Sequence, residues 1–148
     1  MTEQEIRELA EYYMKKYIPD NKWKFEFNNR KKALGLCSYK KKTIYLSRYM
    51  IGGDEYEILD TILHEIAHVV EPADGHGKKW KRKCVEIGAS PNRTTDYILC
   101  ESKYVYVCKT CGKISSAHRK SKIKRSCGKC SPYYDERYLM VFKLREEL

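Results

Sequence analysis

Two histidines and a glutamate stand in the pattern H-E-x-x-H, as His64-Glu65-Ile66-Ala67-His68. Residues four apart share one face of an α-helix, so both imidazoles can reach a single zinc ion. Glu65 is rotated by about 100° from His64, which leaves its carboxylate beside the metal without making it a ligand. Zinc acidifies a water and polarises a scissile carbonyl, while such a glutamate takes the proton and passes it to the leaving amine. The pattern therefore predicts zinc-dependent peptide hydrolysis with Glu65 as the catalytic base.

A catalytic zinc ion normally has three protein ligands and one open position, so a third ligand is required. His76 is the leading candidate, because it lies eight residues after His68 in a glycine-flanked turn that can fold back towards the helix. Glu86 is the rival candidate, since some zinc peptidases take a glutamate from the following helix. Two acidic residues of the connecting turn are further candidates, Glu71 and Asp74.

Four cysteines form two C-x-x-C pairs, Cys108 with Cys111 and Cys127 with Cys130, separated by 15 residues. This is the spacing of a four-thiolate zinc ribbon. A site closed by four thiolates has no position for a substrate, so its zinc is expected to be structural. The prediction is two zinc ions per chain, one catalytic and one structural. The other three cysteines are expected to be reduced thiols without a chemical role, Cys37, Cys84 and Cys100.

The net charge of +10 is concentrated around the cysteine pairs. Residues 1–100 carry 18 basic and 15 acidic side chains, whereas residues 101–131 carry 9 and 1. Such a basic segment attracts polyanions, and the partner expected is DNA, single-stranded or distorted, bound with little sequence selectivity. The alternative is a solvated basic face. The residues predicted to contact nucleic acid lie between the cysteine pairs: Arg119, Lys120, Lys122, Lys124 and Arg125.

Several aromatic and polar residues leave alternatives open. Tyr104 and Tyr106 can stack on bases or pack the small sheet of the ribbon. His118 can be a ligand, a loop residue or a phosphate contact. Tyr97 and Tyr104 are candidate donors to the oxyanion, and their spacing selects neither.

Hydrophobic periodicity predicts the elements that position these residues. An amphipathic helix runs from the capping residue Thr2 to near Pro19, and a largely apolar helix follows Asp54 and carries the H-E-x-x-H residues. Three short strands are expected between these helices, at 23–27, 33–39 and 43–47. A further helix is expected at 78–87, and a further strand at 104–107. The predicted domains are 1–100, the catalytic domain, and 101–148, the ribbon with a C-terminal tail.

Composition places the chain among water-soluble proteins. It has 148 residues, 42% of them hydrophobic and 34% charged. No apolar run approaches the roughly 20 residues that span a bilayer, and the N-terminal segment lacks the pattern of a signal peptide. We expect an intracellular monomer in the cytoplasm, nucleoid or nucleus, neither secreted nor bound to a membrane.

With both zinc motifs, the chain resembles the SprT-like family, to which the DNA–protein crosslink protease Spartan belongs. The resemblance extends to Cys130 and includes the N-terminal helix, Gly35, the strand Thr43–Ser47 and the segment His76–Trp80. It implies an α+β fold with a zincin-like core and an appended β-rich ribbon. It also implies that three histidines bind the catalytic zinc, that Glu65 is the base, and that the ribbon contacts DNA. The three histidines are His64, His68 and His76.

The expected function is a zinc-dependent endopeptidase acting on DNA-associated proteins, including crosslinked ones, and recruited or activated by nucleic acid. An alternative is a regulatory nucleic-acid-binding protein with a vestigial protease site. The intact Glu65 argues against this alternative, because decay of the activity should remove the base first.

Overall fold

Helix α1, Glu3–Tyr17, opens the chain in a computed structural model that describes residues 1–148. The side chain of Thr2 accepts a hydrogen bond from the Glu5 amide and caps the helix, as the sequence predicted. Residues at four-residue spacing form its buried face, Ile6, Ala10 and Met14. The remaining faces carry charged groups, so α1 covers one side of a hydrophobic core.

Three strands follow, β1 (Lys24–Asn28), β2 (Gly35–Ser38) and β3 (Thr43–Ser47). They form a sheet in the order β1-β3-β2, in which β3 pairs in parallel with β1 and antiparallel with β2. The sequence predicted the strands but not this order. β2 pairs with a strand on one side only, so its other edge has backbone groups that no strand satisfies.

Two helices complete this part of the chain, α2 (Glu55–Val70) and α3 (Lys78–Ile87). Asp54 caps α2 by accepting a hydrogen bond from the Glu57 amide at 3.1 Å. α2 contacts α1, α3, β2 and β3, and Ile58, Ile62 and Ile66 are each at most 1% exposed. This helix is the centre of the core, which holds its remaining face in a defined orientation.

The C-terminal part contains strands β4 (Tyr104–Cys108), β5 (Ile114–Ala117) and β6 (Met140–Leu144). They form an antiparallel sheet in the order β5-β4-β6. β6 was not predicted from the sequence, which indicated only a C-terminal tail. Its apolar run pairs with β4 along five residues, and such long-range pairing cannot be inferred from a short local pattern.

The chain divides into two compact units, Met1–Cys100 and Glu101–Leu148. The predicted α+β class is confirmed: the first unit packs three helices with one sheet, and the second is built on its own small sheet. None of the helices is both long enough and apolar enough to cross a bilayer.

Candidate metal centre and catalytic cleft

Three imidazoles meet at one point of the first unit. His64 and His68 lie one turn apart on α2, and His76 comes from the turn that follows this helix. Their ligand nitrogens all lie within 4.8 Å of one another, and the Nε2 atoms of His68 and His76 are 3.1 Å apart. Two nitrogens bound at about 2.0–2.1 Å to a tetrahedral zinc ion are separated by roughly 3.3–3.4 Å. The three histidines, which we call the His cluster, therefore fit a zinc ion.

The imidazoles of the His cluster are held in their neutral form. Burial, together with the neighbouring imidazoles, lowers the pKa of His64 and of His68 to about 4. The pKa of His76 is also lowered, first by burial and then by the positive charge of Arg93. Neutral imidazole is the form that ligates a metal, so binding requires little deprotonation near neutral pH.

The turn that presents His76 depends on an unusual cap of α3. Gly77 occupies the N-cap position and has no side chain to accept a hydrogen bond. The Asp74 carboxylate takes over this task and accepts from the amides of Lys79 at 2.7 Å and Trp80 at 3.3 Å. A Cβ atom at Gly77 would lie 2.5 Å from this carboxylate, so the close approach requires glycine. Asp74 thus serves as a helix cap and is not a member of the His cluster.

Trp80 forms a wall of the His cluster. Its side chain is fully buried, and its ring centroid lies 4.5, 5.1 and 4.8 Å from those of His64, His68 and His76. The rings of Trp80 and His68 are stacked, with an interplanar angle of 18°. Packing against one rigid indole restricts the rotation of all three imidazoles and orients them before a metal binds.

The other candidates for the third ligand lie elsewhere. The Glu86 side chain is 66% exposed and pairs with Lys83 at 2.9 Å. Glu71 is the C-cap residue of α2 and lies outside the His cluster. The structure therefore brings His76, and not Glu86, to the two histidines of the helix.

Glu65 is almost completely buried, with 7% of its surface exposed. This burial raises the pKa of its carboxyl group to about 8, because the charged form has lost most of its hydration. A carboxylate with a raised pKa next to a metal site is a stronger base than a solvated one. The environment of Glu65 thus suits proton transfer near neutral pH.

The His cluster and Glu65 line a cleft of about 990 Å³. One wall is formed by β2 and the residues before it, Lys32 to Cys37, and the other includes the segment 92–97. Apart from Tyr97, this second wall was not predicted from the sequence, because it has no regular periodicity. Tyr97 lies in it, and a Cβ atom at Gly53 would be 2.7 Å from the Tyr97 hydroxyl oxygen. The role of Tyr97 towards the oxyanion stays a prediction.

The sequence profile described as the SprT-like family matches residues 3–98. This span is most of the chain and contains the whole His cluster and Glu65. The chain belongs to the SprT-like family. It is accordingly a zinc metalloprotease, as predicted, and the fit of the His cluster to zinc agrees with this.

Two solved structures are similar to this SprT-like protein, both of metallopeptidase zymogens. Jannalysin of Methanocaldococcus jannaschii is 23% identical over 55% of this chain and 79% of its own, with a TM-score of 0.49. Abylysin of Pyrococcus abyssi is 23% identical over 55% of this chain and 77% of its own, with a TM-score of 0.48. No curated protein matches the sequence significantly.

Tyr39 supports the metal-binding helix of the SprT-like protein, a role that sequence reasoning missed. Its hydroxyl donates a hydrogen bond of 2.7 Å to the backbone carbonyl of His68. In a continuous helix this carbonyl would accept from the residue four positions later, which here is Pro72 and has no N–H. Tyr39 thus replaces the missing amide. Pro72 is the sequence signal that an outside donor is needed at this carbonyl.

We expect Tyr39→Phe to lower the free energy of unfolding of the SprT-like protein by about 0.5–1.5 kcal/mol, the net contribution of one hydrogen bond. Urea denaturation of the zinc-loaded protein measures this difference. Tyr49→Phe is the matched control, because Tyr49 is similarly exposed, 42% against 47%, and its hydroxyl has no hydrogen bond. Equal stability of the two variants would contradict the assigned role of Tyr39.

The four cysteines of the C-terminal unit also converge. Sγ of Cys108 lies 3.7 Å from that of Cys130, and Sγ of Cys111 lies 3.6 Å from that of Cys127. Thiolates bound at about 2.3 Å to tetrahedral zinc are separated by roughly 3.8 Å. The amides of Cys111 and Thr110 point at the Cys108 sulfur and lower the pKa of its thiol to about 6. The group fits a four-thiolate zinc site.

The segment between the cysteine pairs presents its positive charges to solvent. All five residues predicted to contact nucleic acid are exposed, and none of them forms an ion pair. The Arg125 guanidinium lies 4.8 Å from the ring centroid of Tyr106, and the Lys120 amine 5.8 Å from that of Phe142. Tyr106 is only 5% exposed, and its hydroxyl accepts from the Ser121 amide at 2.7 Å, so it packs the sheet. Tyr104 is half-buried and stacks on Phe142 at 4.9 Å.

Proposed function

We propose that this SprT-like metalloprotease is an endopeptidase acting on DNA-associated proteins, including proteins crosslinked to DNA. In this proposal, nucleic acid recruits or activates the enzyme through the C-terminal unit. The proposed binding of DNA is supported by five exposed basic side chains that form no ion pair. They lie beside a half-exposed aromatic pair, Tyr104 and Phe142. Phosphates and bases together are the ligand that such a surface complements.

The geometry of the cleft supports the proposed catalytic roles. His64, His68 and His76 are assigned as ligands of a catalytic zinc, which would supply Lewis-acid activation when bound. Glu65 takes a proton from the attacking water as its oxygen bonds to the scissile carbonyl carbon. The same carboxyl group then returns the proton to the amine as the C–N bond breaks. The four cysteines are assigned to a second, structural zinc.

Endopeptidase activity is supported by the free edge of β2. This strand lines the cleft, and its outer backbone groups pair with no strand. An extended peptide can add to such an edge through main-chain hydrogen bonds, which require neither an N-terminus nor a C-terminus. An internal segment of a protein, once locally extended, can therefore reach the His cluster.

We expect single-stranded DNA to stimulate cleavage of a basic DNA-binding protein by the purified enzyme. Glutamine at the five basic positions should reduce DNA binding and remove this stimulation. Each lost phosphate contact should make the slope of log K against log salt less steep by about 0.7, so that five contacts amount to about 3.5. Electrophoretic shift assays across salt concentrations measure the slope. The five positions are Arg119, Lys120, Lys122, Lys124 and Arg125.

The control variant removes the same amount of charge from exposed positions of the first unit. Its DNA binding and stimulation should stay close to those of the unmodified protein. DNA binding without any cleavage would favour a recruitment module, and cleavage without DNA binding even at low salt would favour a peptidase without a nucleic-acid role. The control positions, changed to glutamine, are Lys15, Lys16, Lys22, Lys81 and Arg82.

A further inference from the structure

Gly35 lies at the start of β2, directly opposite the buried side of Glu65. A Cβ atom at this position would be 2.9 Å from Oε1 of Glu65 and 3.0 Å from its Cγ. It would also be 2.8 Å from Cγ2 of Thr61, one turn earlier on α2. Distances under 3.0 Å are essentially never found for real Cβ atoms, so a larger residue would displace Thr61 Cγ2 or Glu65 Oε1.

The glycine is required for space and not for backbone conformation. Four glycines of the chain have a positive φ, and Gly35 is not among them. Its strand pairing with Leu46 is ordinary antiparallel pairing. The only feature that excludes a side chain at this position is therefore the contact with α2.

The two neighbours of Gly35 differ in their freedom to move away from it. The Thr61 hydroxyl donates to the backbone carbonyl of Glu57 at 2.7 Å, which fixes the direction of its methyl group. α2 itself is held by Ile58, Ile62 and Ile66, which are at most 1% exposed. The Glu65 carboxyl is the group able to shift, since it lies on the side of the helix that lines the cleft.

We propose that Gly35 is a positioning residue, which sets how far the Glu65 carboxylate withdraws towards β2 and hence where it meets the attacking water. This inference rests on the proposed role of Glu65 as the general base. Proton transfer requires hydrogen-bonding distance, and a misplacement of about 1 Å can reduce the rate about 100-fold. The absence of a side chain at Gly35 thus acts on catalysis through Glu65.

The test is Gly35→Ala, alone and combined with Thr61→Ser. Serine removes the methyl group at 2.8 Å but keeps the hydroxyl, so the double variant relieves the packing conflict and leaves the conflict with Glu65. We expect both variants to lose about 100-fold in kcat, with KM and the zinc content close to those of the unmodified protein. The double variant should regain stability but not kcat, and Thr61→Ser alone should keep its rate within about twofold.

A cycle with Glu65→Gln separates this proposal from the proposed function. If Gly35 acts through Glu65, adding Gly35→Ala to Glu65→Gln lowers the residual rate no further. An independent 100-fold loss in that background would overturn the positioning role, as would full recovery of kcat by Thr61→Ser. Failure of the double variant to fold, or a normal kcat in Gly35→Ala, would overturn it as well. A normal rate in Glu65→Gln alone would instead refute the proposed base.

Discussion

Glu65→Gln is expected to lower the rate of peptide cleavage by about 10²- to 10⁴-fold, the contribution of a general base. Glutamine has nearly the same shape as glutamate but cannot take a proton from water. The variant should therefore keep its fold and its zinc while losing turnover. Single-turnover cleavage assays with metal-loaded protein measure the loss, and Glu11→Gln, an exposed position on α1, is the control.

The stability of the same variant gives a second observable. Burial raises the pKa of Glu65 to about 8, above its usual value of 4.5, so ionisation of this group favours the unfolded chain. The shifted pKa therefore stabilises the metal-free protein fully below pH 4.5, and this stabilisation is lost as the pH rises towards 8. Glu65→Gln should remove this dependence and be the more stable protein at pH 8. A variant that is both active and less stable would show that Glu65 has a packing role only.

His76→Ala is expected to remove the catalytic zinc, because it leaves two imidazoles where three meet. The zinc content should fall from two ions per chain to one, and peptidase activity should be lost. Even residues that only support a ligand contribute about 10- to 100-fold to metal affinity, so the loss of a ligand should exceed 100-fold. Calorimetric zinc titration and metal analysis after dialysis measure the change.

Glu86→Ala is the matched variant for the choice of the third ligand. Its side chain is exposed and paired with Lys83, so its removal should leave two zinc ions and a normal rate. The reverse result, loss of zinc in Glu86→Ala and retention in His76→Ala, would show that α3 reorganises when the metal binds. Both residues were candidates for the third zinc ligand on spacing alone, so the two variants compare these candidates directly.

The contacts of the cleft divide between two structural elements. β2 and the residue that follows it touch α2, with Gly35 against Glu65 and Tyr39 at the carbonyl of His68. The turn after α2 supplies His76, with Asp74 capping the next helix. The Glu65 carboxyl thus contacts a strand, whereas His76 comes from a capped turn. Substitutions in β2 and in the turn should consequently affect turnover and metal affinity to different degrees.

Cys37 lies between these two contacts on β2 and lines the same cleft. Burial, followed by the nearby Glu65 carboxylate, raises the pKa of its thiol to about 12. The thiolate is the reactive form of cysteine, so this thiol is poorly reactive at neutral pH. The expectation that Cys37 has no chemistry of its own remains a prediction, but its position in the wall of the cleft was not evident from the sequence.

Features that depend on local spacing could be predicted from the sequence alone. The helical repeat places His64 and His68 on one face whatever the rest of the fold, and the two C-x-x-C pairs show the spacing of a zinc ribbon without reference to other elements. Capping residues such as Thr2 and Asp54 were recognisable for the same reason, since each acts within four residues of itself.

Features that depend on contacts between distant residues became evident only from the fold. Spacing left His76 and Glu86 as alternatives for the third zinc ligand. The turn in which Asp74 caps α3 brings His76 to the cluster. The order of the strands decides that Gly35 faces Glu65, 30 positions away, and that Tyr39 reaches the carbonyl of His68, 29 positions away. Side-chain periodicity indicates which face of an element is buried but not which element covers it. These contacts could therefore not be predicted from the sequence.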